Sequence, residues 1–435
     1  MEERWSTEHV LSLAPDAPSR KAAGKLSSPA PWSGTGTDGA ALWGECQGSG
    51  RTPYRTVVEL ATPAYQCSCP SRKFPCKHAL GLLLLWSSAA EAVPVGEPAG
   101  WAAEWLAARQ ERAAKRAAPP AAPADPEAAR RRAERRGARV AAGAAELRLR
   151  LADRVRHGLA DQSTAGPWEE VAARMVDAQA PGLATRVREL DDLPEERMLE
   201  EYAMLHLLAT AATRVDELPS ELAATVRARV GYTLDAAEVL AGPTVRDRWQ
   251  VLGSRDTADE RLTTRRVWLR GAKTGRHALV LAFGRPGQAP DVALPTGHLL
   301  EAELAYHPGA RPLRAALGTR YGAPEPGPAA APAGLTVAEA VAGYGTAVAD
   351  DPWLDSWPTV LAGVVPVRTP DGWCLTDGHH TVAVRTSAVP EAALWRLAAV
   401  STGRPLTVFG EYGHQGFAPV TAWPADHRPV GLTNP

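Results

Sequence analysis

From Tyr54 to Leu60 the chain reads Tyr-Arg-Thr-Val-Val-Glu-Leu, which alternates as a half-buried strand does, and Ala41-Leu-Trp43 reads as a shorter strand before it. Gly48-Ser-Gly50 supplies the turn chemistry between the two. Farther on, Cys76-Lys-His-Ala-Leu-Gly-Leu-Leu-Leu-Leu-Trp86 is nearly continuous apolar sequence and predicts a helix ending near Ser87-Ser88. On that helix His78, Leu82 and Leu85 share one face, the face expected to pack a small core. The expected order is strand, strand, loop, helix, a ββα unit over residues 40–90. Residues 1–39, rich in Pro, Ser, Ala and Gly, are expected to form a flexible arm before it.

The pattern then changes. Residues 91–160 shift to Ala, Arg, Pro and Glu, with helical runs from Trp101 to Arg116 and from Glu127 to Leu159. Ala117-Ala-Pro-Pro-Ala-Ala-Pro-Ala-Asp-Pro126 breaks them apart, since consecutive prolines remove amide donors and clash with the preceding turn. In the second run Val140, Ala144, Leu147, Leu151, Val155 and Leu159 recur every three or four residues, an apolar stripe on an arginine-studded rod. Residues 166–240 read as helical, with starts at Gly166-Pro167, Leu193-Pro194-Glu-Glu and Leu218-Pro219-Ser-Glu; acidic residues after proline suit a helix N-terminus. From 246 to 322 strands take over, at Val267-Trp-Leu269, His277–Phe283 and His298–Tyr306. Ala323-Pro-Glu-Pro-Gly-Pro-Ala-Ala-Ala-Pro332 separates a last unit, 333–435, with a helix from Val337, strands at 359–368, 372–376 and 380–385, a helix around 390–400 and strands to the end. The fold class expected is α+β with several domains: a ββα module, a helical middle and a β-rich α+β C-terminal region.

Charge is unevenly spread. The net value is −1, yet residues 109–156 hold 14 Lys+Arg against 6 Asp+Glu. Arg130, Arg131, Arg132, Arg135, Arg136 and Arg139 could neutralise phosphates. The reading preferred is a solvated helix face whose arginines pair with Glu127, Glu134 and Glu146 or with the acidic remainder of the chain. No run is apolar enough to span a bilayer, and the opening residues lack the apolar stretch of a secretory signal, so a cytoplasmic location is expected.

Five cysteines in 435 residues are no disulfide framework, and three of them cluster. Cys67-Ser-Cys69-Pro-Ser-Arg-Lys-Phe-Pro-Cys76-Lys-His78 gives the spacing C-x-C-x6-C-x-H. Residues two apart on a strand face the same way, so Cys67 and Cys69 can both address one ion. The loop through Pro70 and Pro75 can return Cys76 and His78 from the other side. Three thiolates and an imidazole form a closed tetrahedral shell that favours one structural Zn2+. Arg51, Arg55, Arg72, Lys73 and Lys77 offset its net negative charge. Cys46 is read as a buried small residue in preference to a neighbour of the site, and Cys374 with His379 and His380 as turn and strand residues without a metal.

This spacing, preceded by Trp43-Gly-Glu-Cys46-Gln-Gly-Ser-Gly50 and Pro53-Tyr54 and followed by the apolar helix, resembles the SWIM-type zinc finger, in particular that of bacterial proteins with Ala- and Arg-rich chains. The resemblance implies a ββα zinc module with Cys67, Cys69, Cys76 and His78 as ligands, and a role in binding DNA or protein. Similarity to bacterial SWIM proteins encoded beside MoxR-type ATPases and von Willebrand A domain proteins implies a chaperone-like or maturation partner.

No nucleophile elbow, zinc-protease helix or dinucleotide fingerprint is present, and Gly271-Ala-Lys-Thr-Gly275 lacks the spacing of a phosphate loop. The functional expectation is a non-catalytic zinc protein that binds a protein partner. The alternatives are a nucleic-acid-binding regulator and an enzyme with a site in the C-terminal region.

Overall fold

The computed structural model describes the whole chain except residues 1–3, 16, 49, 61–63, 72–74, 118–124, 159–167, 259–261, 285–289, 291, 293, 329, 425–427 and 433–435. The expected helix start at Gly166-Pro167, the stripe residue Leu159, the cations Arg72 and Lys73 and most of the first proline-rich segment lie outside the described residues.

The segment expected to be a flexible arm is folded. It forms α1 (Thr7–Ser12), α2 (Ala17–Gly24) and β1 (Trp32–Thr37). Then come β2 (Ala41–Cys46), β3 (Tyr54–Glu59), β4 (Ala64–Cys67) and α3 (Lys77–Ser88), and the four strands form one antiparallel sheet in chain order. The expected ββα unit is present in β2, β3 and α3, and two further strands and two further helices are built onto it. The reason lies in α3. From His78 to Trp86 every residue of α3 is buried, and a helix apolar all round needs cover on every side. Leu42 and Val58 of the sheet cover one side, while Val10, Leu13 and Ala23 cover the other. The approach is close: a Cβ on Gly81 would lie 2.6 Å from the Cβ of Leu26, so only glycine fits there. The opposite face of the sheet is covered by α4 (Gly100–Ala117), whose Ala102, Trp101 and Trp105 pack on Trp43 and Val57.

The helical middle comprises α5 (Pro126–His157), α6 (Trp168–Asp177), α7 (Pro181–Glu189), α8 (Glu195–Thr213) and α9 (Ser220–Val230). The stripe works as expected for Val140, Ala144, Leu147 and Leu151, which are buried with Met175, Leu183, Tyr202, Leu208 and Val226; Val155 is 42% exposed. The rod and the helical region therefore share one core, although composition alone divides them at about 160. α8 and α9 follow Pro194 and Pro219 with acidic first turns.

After α10 (Ala236–Leu240) the chain builds β5 (Thr244–Ala258), β6 (Thr263–Gly271), β7 (His277–Gly284), β8 (His298–Tyr306), β9 (Ala315–Arg320) and the short β10 (Glu325–Pro326). β5 pairs with β6 and β8, β6 with β7, and β8 with β9, all antiparallel. A parallel bridge between Leu279 and Arg314, with the Leu279 N–H donating to the Leu313 carbonyl at 2.7 Å, brings β7 against β9 and closes the ring.

The last unit repeats this plan. α11 (Val337–Asp350) precedes β11 (Trp357–Thr369), β12 (Gly372–Thr376), β13 (Thr381–Ala383), α12 (Glu391–Ser401), β14 (Leu406–Gly413), β15 (Gly416–Trp423) and β16 (Val430–Gly431). β11 pairs with β12 and β14, β12 with β13, and β14 with β15. Closure again comes from a parallel bridge, Val384 to Phe417. In both rings the order is first, second, third, fifth, fourth, the order of a five-stranded Greek-key barrel of the OB type. The two barrels pack outer face to outer face through Leu252, Trp268 and Leu279 on one side and Val360, Phe409, Val420 and Trp423 on the other.

Two joints fix the bundle to the rest. Trp353, between α11 and β11, is buried in the bundle core, and its indole N–H donates to the Met204 carbonyl at 3.1 Å. Beside it Arg229 faces Asp351 at 3.8 Å and Asp355 at 3.4 Å. Asp350 ends α11, Asp351 follows as its cap, and Asp350 pairs with Arg311.

Candidate metal centre

The site is assembled by the end of a strand and the start of a helix. Cys67 is the last residue of β4, opposite Thr56 of β3. Cys69 lies two residues on, in the bend beyond the strand, so the shared facing expected from strand periodicity is achieved by a turn. Cys76 caps α3: its extended backbone stands just outside the helix, and the Ala79 N–H points at its sulfur at 3.5 Å. His78 follows in the first turn.

These four side chains bring one donor atom each to within 4.8 Å of one another. Cys67 Sγ and His78 Nδ1 are 3.6 Å apart. With metal–sulfur about 2.3 Å and metal–nitrogen about 2.0 to 2.1 Å, a tetrahedral edge between such ligands is about 3.6 Å. The donor set and its spacing fit one Zn2+. Cys76 and His78 are buried, and Cys67 and Cys69 half-buried. Among the described residues no other group of three or more such side chains is placed to hold an ion.

The three thiols share protons among themselves. The Cys69 thiol is held well below the usual range because Cys67 and Cys76 both donate to its sulfur. Donation to Cys69 pushes Cys67 up to about 11, and donation to Cys67 and Cys69 together with burial pushes Cys76 up as well. Three sulfurs in one pocket cannot all ionise unless a cation stands among them.

Neighbouring groups orient the ligands. Thr56 Oγ1 lies 3.3 Å from Cys67 Sγ, within reach to donate to a thiolate. The Tyr54 ring lies 4.8 Å from the His78 ring. Neither contact is legible from motif spacing; the β3–β4 register is what puts Thr56 opposite Cys67. Arg51, Arg55 and Lys77 are exposed, and Arg55 also meets Glu45 at 3.1 Å and covers the Trp101 ring at 5.7 Å.

The other two cysteines are not among the four donors. Cys46 is 1% exposed at the end of β2, opposite Tyr54 and near enough to the site for the charges of Lys77 and Cys69 to act on its thiol, which burial raises. Cys374 sits in β12 with its sulfur 3.5 Å from the Val367 carbonyl. His379 and His380 belong to a turn in which Asp377 accepts their backbone N–H groups.

Comparison with known families agrees with this geometry. A SWIM zinc finger matches residues 54–86, and a SWIM-associated four-helix bundle domain matches residues 135–230, which span most of α5 and all of α6 to α9. Searches of curated proteins and of solved structures return no match. With its four donors gathered at a single point, the segment from β3 to α3 is a SWIM zinc finger, carried in one chain with the four-helix bundle that accompanies that family.

Proposed function

We propose that this is a non-catalytic zinc-binding protein in which the metal centre is scaffolding and the folded body presents surfaces to a protein partner in a cytoplasmic assembly. The observation that carries the reading is that both faces of the zinc module's sheet are covered, by α3 and by α4. Four protein ligands complete a tetrahedral shell and leave no position for a reactant. Arg109 of α4 pairs with Glu59 of β3 at 2.7 Å, tying the module to the body. Arg51, Arg55 and Lys77 are exposed near the metal site. No described helix is long and apolar enough to cross a membrane.

The family resemblance names MoxR-type ATPases and von Willebrand A domain proteins as partner classes to try first. Purified candidates of both classes are to be titrated against the zinc-loaded chain and against an Arg51→Glu, Arg55→Glu, Lys77→Glu variant. Binding weakened at least tenfold in the variant supports the reading, and no binding by the wild-type chain to either class, or to any protein recovered from the host, overturns it.

Nucleic-acid binding is favoured by one observation: Arg130, Arg131, Arg132, Arg135 and Arg139 are exposed on the first half of α5. Against it, Arg131 meets Glu127 at 3.3 Å, Arg130 meets Glu134 at 3.7 Å, and Arg136 turns inward onto the Gly231 carbonyl and the Tyr232 ring. A mobility shift at about 50 mM salt that fades steeply as salt rises selects this reading.

A further inference from the structure

The helix α5 buries nothing before Val140. Its first part, Pro126 to Arg139, is a helical extension of about 21 Å outside the bundle core. Residues 125–139 hold six arginines against three acids. Arg130 and Arg131 have exposed partners in Glu134 and Glu127, and Arg136 turns onto the Gly231 carbonyl. Arg132, Arg135 and Arg139 are exposed and meet no carboxylate among the described residues. Steps of three and four residues put these three on one face, where like charges oppose the helix and no apolar stripe supports it.

The opposite pole of the bundle is acidic. Arg136 sets the start of α5 beside the end of α9, whereas Arg154, near the end of α5, donates to the Tyr202 hydroxyl in α8. The start of α8 therefore lies at the far end of α5. Residues 189–201 hold seven acids against one arginine. Of these, Asp191, Asp192, Glu195 and Glu196 are exposed and meet no cation among the described residues. Desolvation, with repulsion from Asp192 and Glu169, raises the Asp191 carboxyl above its usual range. From this end the outward face of α8 carries Leu199, Ala203 and Leu207, four residues apart, with Glu196 and Glu200 beside them. Both leucines stand open, 59% and 43% exposed.

We infer that the bundle pairs with a second copy of this chain, the arginine-rich start of α5 in each copy lying along the Leu199–Leu207 face of α8 in the other. An apolar stripe edged with free carboxylates is the complement of an arginine- and alanine-rich helix: the aliphatic stems of arginine cover leucine while the guanidiniums reach the acids. Because the basic and acidic segments lie at opposite ends of one bundle, a single twofold axis makes both contacts at once, each copy giving its extension and receiving the other's. Nucleic acid would satisfy the arginines alone, whereas a second copy also covers the exposed leucines and balances the free acids. The surface is separate from the metal centre, and the inference is independent of the protein-partner reading.

Sedimentation of the zinc-loaded full chain tests this at about 50 mM and about 500 mM salt, where exposed charges are weakly and strongly screened. A dimer is expected at low salt, with a dissociation constant about tenfold or more higher at high salt. Two charge-reversed chains, Arg132→Glu/Arg135→Glu/Arg139→Glu and Asp192→Lys/Glu195→Lys/Glu196→Lys, should each be monomeric at unchanged zinc content and far-ultraviolet dichroism. Mixed together they should form a heterodimer, since the mixture restores attraction at both contacts. A wild-type chain that is monomeric at low salt, a dimer that survives either reversal, or a mixture that stays monomeric overturns the inference. Duplex DNA binding by a monomeric wild-type chain, lost on reversing the three arginines, overturns it too and assigns the extension to nucleic acid.

Discussion

Trp353 belongs by sequence to the C-terminal unit and by packing to the bundle, so replacing it measures how far the two stand or fall together. It is 7% exposed, lies in the core formed by α5 to α9, and donates its indole N–H to the Met204 carbonyl at 3.1 Å. Truncation of a buried aromatic to alanine removes transfer free energy and leaves a cavity, at a cost of about 3 to 5 kcal/mol. Trp353→Phe keeps a ring in place and loses mainly the hydrogen bond, about 0.5 to 1.5 kcal/mol, with a further part for the smaller ring. The assay is urea unfolding followed by far-ultraviolet dichroism, with hydrogen exchange to locate the loss. Trp353→Ala should lower the protection of amides in α7 and α8, which line the indole pocket, and of β11, which the indole anchors. A cost below about 1 kcal/mol for Trp353→Ala, or loss confined to the C-terminal unit, would refute the reasoning: the bundle would then close its core without the tryptophan.

Zinc analysis of the purified chain should give one ion per molecule, falling to none in Cys67→Ser and His78→Ala. Chelation should remove the exchange protection of residues 32–88 while the barrels persist, because structural zinc supplies about 10 to 16 kcal/mol of folding free energy to such modules. Thr56→Val deletes the hydroxyl beside Cys67 Sγ and should weaken zinc binding by about tenfold or more in a chelator competition; an unchanged affinity would rule out that contact. Gly182→Ala would set a Cβ 2.0 Å from the Arg229 carbonyl oxygen, where the start of α7 crosses the end of α9. Backbone cannot step aside there, so a loss of at least about 1 to 3 kcal/mol is expected in denaturant unfolding. In the first barrel, burial lowers His277 and His298 to about 4. Unfolded histidines take up protons near pH 6.5 while these two stay neutral in the folded state, so the unfolded chain binds more protons between pH 6.5 and 4. Stability should therefore fall through that window as pH drops, by about 3 kcal/mol for each residue at its lower end, and denaturation midpoints that stay level from pH 6.5 to 4.5 would contradict this.

The metal site was legible in the sequence because its information is local. Four ligands within twelve residues, with prolines in the loop, define a chelating segment almost regardless of what surrounds it. The periodic helices were legible for the same reason, since Val140 to Leu151 carry their burial in their spacing, whereas Thr56, Val57 and Val58 are buried in succession because both faces of their sheet are covered. The leading helices and β1 were not, since the Pro-, Ser- and Gly-rich first 39 residues fold only because α3 is apolar on every side and needs cover. The division of the basic rod from the helical region failed likewise. Composition changes near residue 160, but the core that α5 shares with α8 runs across that change.

What the sequence by itself determined is the chemistry of one point and the period of each element. Which strands close into rings, which tryptophan plugs a neighbouring core, and which guanidiniums crowd around a single buried carboxylate were decided by tertiary structure. Arg255, Arg266 and Glu411 span more than 150 positions of the chain and are brought together only when the two barrels pack. Burial energy depends on what side chains face after the chain has folded, and pairings between distant segments leave no periodic trace in the order of residues.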